Sequence, residues 1–315
     1  MRILLLGATG FVGQHLLPGL SANGHQCVVL CRNPARSREL RLIPGVQLYP
    51  LKEFTRDTLI PPMTGAHAVI NLVGILNEKG RNGEGFRRVH VDLVEQVLAA
   101  CETSGVRRFI HMSALNAGQG KSHYLTSKGE AEDLIRQVPH LDATFIRPSV
   151  IFGDGDSFFN RFAGLLRLTP VLPLACPGAL MQPVWVDDVA AAITLAVERT
   201  RPGDKLYGQA LELVGPRVYT LKELVRQTAR FIGARRWIIG LPKGLSRLQG
   251  SVMDFVPGKP FSSDNFQSLQ LDSTSKHNAL PRLGITPASI DSIVPGYLIG
   301  SRHQHRLDQF RRSIP

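Results

Sequence analysis

The sequence predicts an α/β fold, in which a doubly wound parallel sheet is followed by a smaller, irregular C-terminal lobe. Short apolar runs alternate with segments of helical periodicity through the first half of the 315 residues. The runs are continuously apolar, which is typical of parallel strands covered by helices on both faces. The first run leads directly into GATGFVG (7–13), whose glycines indicate a tight turn between a strand and a helix.

Six apolar runs are predicted to form the strands of this sheet: ILLL (3–6), QCVVLC (26–31), VQLY (46–49), HAVINLVG (67–74), RRFIHMS (107–113) and DATFIRPS (142–149). Apolar residues at helical spacing predict helices between them at 12–22, 86–105 and 124–138.

The pattern becomes irregular after Pro148. Residues 184–200 are predicted to form a strand running into a helix, 211–215 a short strand and 220–233 a helix. We therefore divide the chain into residues 1–150 and a smaller lobe of residues 151–315, with segment 184–215 returning to the first sheet. The basic stretch at the end of the chain, RHQHRLDQFRRSIP (302–315), is predicted to be a loose tail.

Composition limits the function classes. Apolar residues make up 43% of the chain, and the net charge of +12 favours anionic partners, such as a phosphorylated cofactor, an acidic substrate, a membrane surface or nucleic acid. The four cysteines lack CxxC spacing and the pair His303–His305 lacks a third ligand, so we expect no metal site. So few cysteines indicate a reducing compartment. We expect a cytoplasmic protein, with a peripheral position on the inner face of the cytoplasmic membrane as the alternative.

A strand, a GxxGxxG loop and a helix in this order form the arrangement that binds dinucleotides. Gly7 permits the tight turn, Gly10 lets the backbone approach a pyrophosphate, and Gly13 lets helix and strand pack closely. The N-terminus of the helix supplies N–H groups for the phosphates. Residues 1–150 are therefore expected to form an NAD(P)-binding domain of Rossmann type. The cofactor contacts expected in this loop are Gly7, Thr9, Gly10, Phe11, Val12 and Gly13.

The end of the second strand indicates which dinucleotide is bound. An acidic residue there would hold the ribose 2′-hydroxyl of NAD. This chain instead has CRNPARSR (31–38), with no acid before Glu39. Arg32 and Arg36 could bind a 2′-phosphate through their guanidinium groups, so NADP(H) is favoured and NAD(H) is the alternative. A solvated basic loop without a ligand would show the same pattern.

A second constellation consists of Tyr124 and Lys128 in YLTSK. Residues at this spacing share one face of a helix. An ammonium group beside a phenol lowers the pKa of the phenol, and such a tyrosine can exchange a proton with a carbonyl or alcohol oxygen. Ser113 ends the fifth strand, at the edge of the sheet where ligands bind, and could orient a substrate oxygen. Lys128 could also hold the ribose hydroxyls of the cofactor.

Together GATGFVG, Ser113, the YxxxK motif and RPSVIFG (147–153) resemble the extended or atypical short-chain dehydrogenase/reductase superfamily over residues 1–230. The resemblance implies that Ser113, Tyr124 and Lys128 are a catalytic trio and that the segment after Arg147 borders the nicotinamide. It extends the expected cofactor contacts to Tyr124, Lys128, Leu72, Val73, Gly74, Pro148 and Ser149.

A narrower resemblance is to the NADPH-binding accessory subunit of respiratory complex I and its bacterial relatives. It is carried by VINLVG (69–74), FIHMSALNA (109–117), YLTSKGEAE (124–132), IRPSVIFGDGDSFFNRFA (146–163) and QPVWVDDVA (182–190). This family implies an atypical dehydrogenase linked to the quinone pathway, whose cofactor is structural as much as catalytic. The chain departs from many relatives after the third strand, where Pro50-Leu51, or Lys52-Glu53 in a shifted register, replaces an Asp followed by an apolar residue, so the resemblance does not define the adenine contacts.

Two function classes are favoured, and two others are disfavoured. The preferred one is an NADP(H)-dependent oxidoreductase acting on a lipophilic or quinone-like carbonyl or alcohol, with the C-terminal lobe serving the substrate or a partner. The second is a cofactor-binding structural or assembly protein of a membrane electron-transfer complex or quinone pathway, whose partners would be respiratory proteins or the membrane surface. A nucleic-acid binder is disfavoured because no aromatic-basic platform is present. A sugar-nucleotide epimerase or dehydratase is disfavoured because Ser113 and Tyr124 stand closer together than in that group.

The segment WIIGLPKGLSRLQGSVMDFVP (237–257) has two interpretations. Its bulky apolar residues together with Lys243 and Arg247 would suit a helix at a membrane surface. Packing in the core of the smaller lobe is the preferred interpretation.

Overall fold

A computed structural model describes residues 1–199, 206–257 and 259–299. The predicted tail and the two histidines within it lie outside these residues. The strands are β1 Arg2–Leu6, β2 Gln26–Cys31, β3 Val46–Pro50, β4 Ala68–Asn71, β5 Arg108–Met112, β6 Asp142–Pro148, β7 Ile151–Phe152, β8 Val171–Leu174, β9 Leu180–Met181, β10 Val184–Trp185, β11 Ala210–Leu213, β12 Tyr219–Thr220 and β13 Trp237–Gly240.

The α-helices are α1 Phe11–Ala22, α2 Arg56–Met63, α3 Glu84–Arg87, α4 Leu93–Ser104, α5 His123–Arg136, α6 Phe159–Leu168, α7 Val186–Glu198, α8 Leu221–Phe231, α9 Lys243–Met253 and α10 Ser263–Ser268. A further helix includes residues 290–299. No described helix combines the length and the hydropathy needed to cross a bilayer.

Seven strands form one parallel sheet in the order β11-β6-β5-β4-β1-β2-β3. The predicted Rossmann-type fold is confirmed. Strand β1 lies between β2 and β4, so the order of strands reverses at its carboxyl end. Ligands of open parallel sheets bind at such a reversal, which places the glycine loop after β1 at the expected position.

The sheet is held by apolar side chains that contact helices on its faces. Ile3, Leu4, Leu5 and Leu6 of β1 are fully buried. Side chains one residue apart on a strand point to opposite faces, so a strand that is apolar throughout must be covered on both. Leu4 and Leu6 belong to a core cluster that also contains Leu59 of α2.

The chain divides into two compact units, each assembled from separated segments. The first comprises Met1–Pro148, Asp187–Leu213 and Lys276–Ile285. The second comprises Ser149–Val186, Val214–Ser275 and the described part of residues 286–315. The first unit contains the parallel sheet, to which β11 adds an edge strand beside β6.

The second unit has three short strand pairs, β7 with β10, β8 with β13 and β9 with β12. Its core cluster contains Phe152, Phe159, Leu224 and Val294. Helix α8 begins with a capping box, in which the side chains of Thr220 and Glu223 bond each other's backbone N–H groups.

One helix is absent from the predicted elements, and one predicted helix differs in geometry. Helix α2 contains Pro61 and Pro62, which argue against a helix there, yet burial of Leu59 and Met63 in the core stabilises it. The predicted helix 86–105 is not uniform, because residues Arg88–Asp92 form a turn of π-helix. Such turns frequently occur at functional sites.

Candidate active site

Gly7 follows β1 and has a positive φ of +77°. A Cβ at this position would lie 2.8 Å from the backbone N of Val73 and 2.9 Å from the carbonyl carbon of Leu72. Only glycine therefore lets the loop turn here and touch the segment that follows β4.

Gly10 is the residue immediately before α1 and has an extended conformation. Since it has no side chain, the first N–H groups of the helix are not capped by one. A Cβ added to it would approach only the carbonyl O of Gly7, at 3.2 Å. The first N–H groups of a helix have no intrahelical acceptor, and those of Phe11 and Val12 belong to this turn. Free backbone N–H groups at a helix N-terminus, with no side chain in front of them, suit the pyrophosphate of a dinucleotide.

Gly13 has a different role from Gly10. A Cβ on Gly13 would lie 2.2 Å from the Cα of Ala8, so this glycine allows α1 to pack against the loop. Gly7 and Gly13 are therefore required by the fold, whereas Gly10 keeps a side chain out of the place where a ligand would lie. Thr9 lies between the loop's first two glycines, and its carbonyl O accepts a hydrogen bond from Gln14.

Arg32 and Arg36 follow β2, the strand next to β1 in the sheet. Arg32 directly follows β2, and Leu30 of that strand pairs with Leu6 of β1. Both arginine side chains are exposed. Within the described ranges, neither forms an ion pair with a carboxylate. Arg32 thus presents positive charge beside the end of β1, where the glycine loop begins.

The segment after β4 connects the glycine loop to the predicted catalytic helix. The N–H of Leu72 donates to the O of Leu6, and the N–H of Val73 donates to the side chain of Asn71. A Cβ on Gly74 would lie 3.3 Å from Nζ of Lys128. The backbone of Gly74 is therefore packed close to the ammonium group of Lys128.

Tyr124 and Lys128 lie one turn apart on α5. The helix begins after Ser122, whose hydroxyl accepts the N–H of Leu125. The Tyr124 ring contacts the edges of Phe86 and His90, with ring centroids 5.9 and 5.6 Å away. The tyrosine thus lies among ring side chains and is half-buried.

Lys128 is buried, and its Nζ donates to the carbonyl O of Met112 at 2.8 Å. Met112 ends β5, so the ammonium group is held at the carboxyl edge of the sheet. Burial lowers the pKa of Lys128 to about 8, against the opposing effect of the Glu132 charge. The group is therefore mainly protonated at neutral pH and can change its charge within the physiological range.

His90 joins the segment after β4 to helix α5. Its Nε2 accepts the N–H of Ile75 at 3.1 Å, so the neutral ring carries its proton on Nδ1. Nδ1 then donates to Ser127 Oγ at 2.8 Å, and that hydroxyl donates to the O of Tyr124. Burial, followed by the charge of Lys128, lowers the pKa of His90 to about 2, which keeps the ring neutral. His90 is thus positioned to fix Tyr124.

Ser113 follows β5 and is buried, with its N–H bonded to the O of Ile146. Its hydroxyl donates to Oε1 of Glu132 at 2.5 Å. The Glu132 carboxylate also accepts a hydrogen bond from Nε of Arg147 at 2.7 Å and forms a salt bridge with Arg136 at 2.9 Å. A hydroxyl has one proton, so Ser113 cannot at the same time donate a hydrogen bond to a substrate oxygen.

Pro148 ends β6, and Ser149 directly follows it. The O of Pro148 accepts the N–H of Leu115 in the first unit. Ser149 belongs to the second unit, where its hydroxyl donates to the O of Ser273.

Replacing Glu132 with glutamine is expected to lower the free energy of unfolding by about 2–3 kcal/mol, because charge-assisted hydrogen bonds to a buried carboxylate are lost. Burial alone would raise the pKa of Glu132, but the bonds from Arg147 and Ser113 and the nearby charges hold the pKa below its usual range. The stabilisation of the fold by the Glu132 carboxylate is therefore complete above about pH 4.3, the pKa of a glutamate in the unfolded chain. It is lost as the pH falls through the lower pKa of Glu132 in the folded protein.

Urea unfolding of both proteins across acidic pH measures this effect, and the difference between them should shrink below pH about 4.3. The exposed neighbour Asp133, 3.8 Å from Arg136, provides the control, since Asp133→Asn should cost less than about 1 kcal/mol. Equal losses for both variants, or a difference that does not change with pH, would contradict the assigned network.

The sequence patterns did not identify Glu132 and His90 as part of this site. Glu132 stands one helical turn beyond Lys128, so the series Tyr124, Lys128 and Glu132 on one stripe of α5 was the available signal. His90 offered none, because its contacts depend on the π-helical turn and on the course of the backbone at Ile75.

The chain is similar in sequence and in fold to known proteins. A family model described as NAD(P)H-binding matches residues 7–159. The chain is 33% identical over 299 residues to "NADH dehydrogenase [ubiquinone] 1 alpha subcomplex subunit 9, mitochondrial" of Mus musculus, covering 91% of this chain and 77% of that protein. It is 30% identical over 260 residues to a ceramide reductase of Caulobacter vibrioides, covering 80% and 77% respectively.

Among solved structures, a quinone oxidoreductase of Escherichia coli in complex with NADPH superposes with a TM-score of 0.74 at 18% identity, covering 94% of this chain and 99% of that one. This likeness supports the fold. The sequence relatives show that the chain belongs to the NAD(P)H-binding family of extended short-chain dehydrogenase/reductase-like proteins that includes the complex I subunits.

Proposed function

We propose that this protein is an NADP(H)-dependent reductase of a lipophilic or quinone-like carbonyl compound. The observation that carries the proposal is the arrangement of Tyr124 and Lys128 on one face of α5, with Nζ of Lys128 held at the carboxyl edge of β5. This edge is where ligands of parallel sheets bind. Gly74 lies close to Nζ and so brings the segment after β4 to the same place.

The roles of the residues follow from these positions. When bound, the dinucleotide supplies the hydride. The backbone around Gly10 would hold its pyrophosphate, and Arg32 and Arg36 its 2′-phosphate. Tyr124 would give its proton to the carbonyl oxygen, and the ammonium of Lys128 would favour the resulting phenolate.

A lipophilic substrate is supported by the surroundings of Tyr124. Phe86 and His90 form two sides of its environment, and both side chains are buried, with the imidazole neutral. The names of the relatives refer to ubiquinone and to ceramide, both of which are lipids. Since all four cysteines are unpaired, we place the protein in the cytoplasm or at the inner face of its membrane.

The test begins with the purified protein. Nucleotide released on denaturation is identified by mass spectrometry, and NADPH oxidation is then followed with short-chain quinones, long-chain keto compounds and, for comparison, nucleotide sugars. Turnover with a quinone or keto compound supports the proposal. Turnover confined to nucleotide sugars, or none with any of these compounds, would overturn it.

Replacing Arg32 with alanine should weaken NADPH binding more than tenfold and leave NADH binding nearly unchanged. The reason is the loss of a charge-assisted bond to the 2′-phosphate, worth about 1.5–3 kcal/mol. Calorimetry with both nucleotides measures it. Arg107, exposed before β5 at the opposite edge of the sheet, provides the control, since Arg107→Ala should change neither affinity. Equal losses for NADPH and NADH in Arg32→Ala would refute the assignment.

A second candidate function is a cofactor-binding structural or assembly role beside respiratory or quinone-pathway proteins. The bond between the Ser113 hydroxyl and Glu132 favours it, because the proton that a substrate oxygen would need is given to a carboxylate. In this role the dinucleotide would stabilise the first unit without being consumed.

A further inference from the structure

The second unit exposes large apolar side chains along helix α9. Leu248 and Val252 are each 57% exposed, and Leu245 is 50% exposed. Their spacing of three and four residues places them on one stripe of the helix. Phe255, just beyond the helix end, is 73% exposed.

The opposite side of α9 packs with small and polar residues. Ser246 accepts the N–H of Cys176 and donates to the O of Leu241. A Cβ on Gly250 would lie 3.1 Å from the O of Ser262, so this side approaches its neighbour closely. The helix is thus amphipathic with its apolar side outward. The preferred sequence interpretation, core packing of residues 237–257, is wrong for these side chains.

Strand β13 continues this surface. Trp237 and Ile239 are exposed and pair in register with Val171 and Pro173 of β8, so these side chains share the outer face of the strand pair. Gln249 of α9 donates to the O of Pro173, so helix and strand pair lie side by side. The apolar face of α9 and β13 consists of Trp237, Ile239, Leu245, Leu248, Val252 and Phe255.

The stretch of chain that forms this face is rich in basic residues. Residues 229–262 contain six basic side chains and one acid, Asp254. Asp254 is buried and accepts both the N–H and the hydroxyl of Ser263. Within this stretch, the exposed charge is therefore carried by Lys and Arg, including the exposed Lys243 and Arg247 at the start of α9.

We propose that the apolar face of α9 and β13 docks on the surface of an anionic lipid bilayer. An exposed apolar stripe with tryptophan and flanking basic groups suits the boundary between headgroups and acyl chains. A second copy of this chain would bring two positively charged faces together, which is unfavourable. The interaction involves residues of the second unit and does not depend on the proposed reductase activity.

Vesicle flotation of the full-length chain tests the docking. Vesicles of phosphatidylcholine alone are compared with vesicles that also contain phosphatidylglycerol, and binding to the anionic vesicles should be at least about tenfold stronger. The chain has two tryptophans, so Trp185→Phe leaves Trp237 as the reporter, and its fluorescence should shift to shorter wavelength on binding. The double variant Leu248→Asp with Val252→Asp should lose the binding, and Lys243→Glu with Arg247→Glu should weaken it about tenfold.

Leu42, which is 85% exposed in the first unit, provides the matched control, since Leu42→Asp should bind vesicles like the wild type. Nucleotide binding is measured for every variant and should not change, which separates this test from that of the proposed function. Equal flotation with neutral and anionic vesicles, or unchanged flotation of the Leu248→Asp, Val252→Asp variant, would overturn the proposal. The proposal would also be overturned if the wild-type protein forms dimers without lipid and the Leu248→Asp, Val252→Asp variant is monomeric.

Discussion

Replacing Gly10 with aspartate should abolish dinucleotide binding and leave the fold intact. The new carboxylate would stand where the pyrophosphate approaches α1, and like charges about 4 Å apart near a protein surface repel by about 4 kcal/mol. Binding of either dinucleotide should therefore weaken by roughly a hundredfold or more. We expect the fold to survive because Gly10 has a φ of −86°, and because the one close approach of a Cβ, 3.2 Å from the carbonyl oxygen of Gly7, is relieved by a shift of a few tenths of an ångström. Aspartate is also a favoured residue immediately before a helix.

Calorimetry measures the affinity, and thermal unfolding without nucleotide should give a melting temperature within about 5 °C of that of the wild type. Gly19, exposed on the same helix, provides the control, since a Cβ there makes only an ordinary contact 3.8 Å from Thr194 Oγ1. Gly19→Asp should bind nucleotide normally. If Gly10→Asp also binds normally, the loop is only a turn.

Replacing Tyr124 with phenylalanine should lower turnover by roughly 10² or more, the usual contribution of a general acid. The ring contacts with Phe86 and His90 are kept, so cofactor affinity should hardly change. Steady-state kinetics should show kcat and kcat/KM falling together, because the lost interaction belongs to the transition state. Lys128→Met should reduce both turnover and cofactor binding, since Lys128 is assigned to both.

Tyr49 of β3 provides the matched control, and Tyr49→Phe should leave turnover unchanged. The same variants separate the two candidate functions when they are tested for complementation of a deletion strain. A reductase role requires that Tyr124→Phe fails to complement. If Tyr124→Phe complements while Gly10→Asp does not, the structural role is correct and the reductase proposal is overturned.

The sheet could be predicted from the sequence because its signal is local. Each parallel strand is a short, continuously apolar run, and the glycines at 7, 10 and 13 mark the first strand-to-helix turn. The face shared by Tyr124 and Lys128 follows from helix periodicity alone.

Contacts between distant segments could not be predicted in this way. The bond from Ser113 to Glu132 requires α5 to pack against the end of β5, and the place of His90 requires a local change of helix geometry. The orientation of α9 is a similar case, because an apolar stripe has the same periodicity whether it faces a core or solvent. Only the packing of Ser246 and Gly250 shows which side is inward.

The discontinuous first unit has a consequence for synthesis on the ribosome. Strand β6 ends at Pro148, and its edge partner β11 begins at Ala210, so roughly 60 residues must be added before that edge is covered, which takes about 3–12 s. During this interval the nascent chain presents an unpaired parallel edge, a template for wrong pairing with other chains. Nascent chains stalled before residue 210 should therefore depend on chaperones more than chains stalled after 285, where the last segment of the unit has been made. For the same reason, a fragment cut at residue 150 is a poor choice for producing the nucleotide-binding part alone.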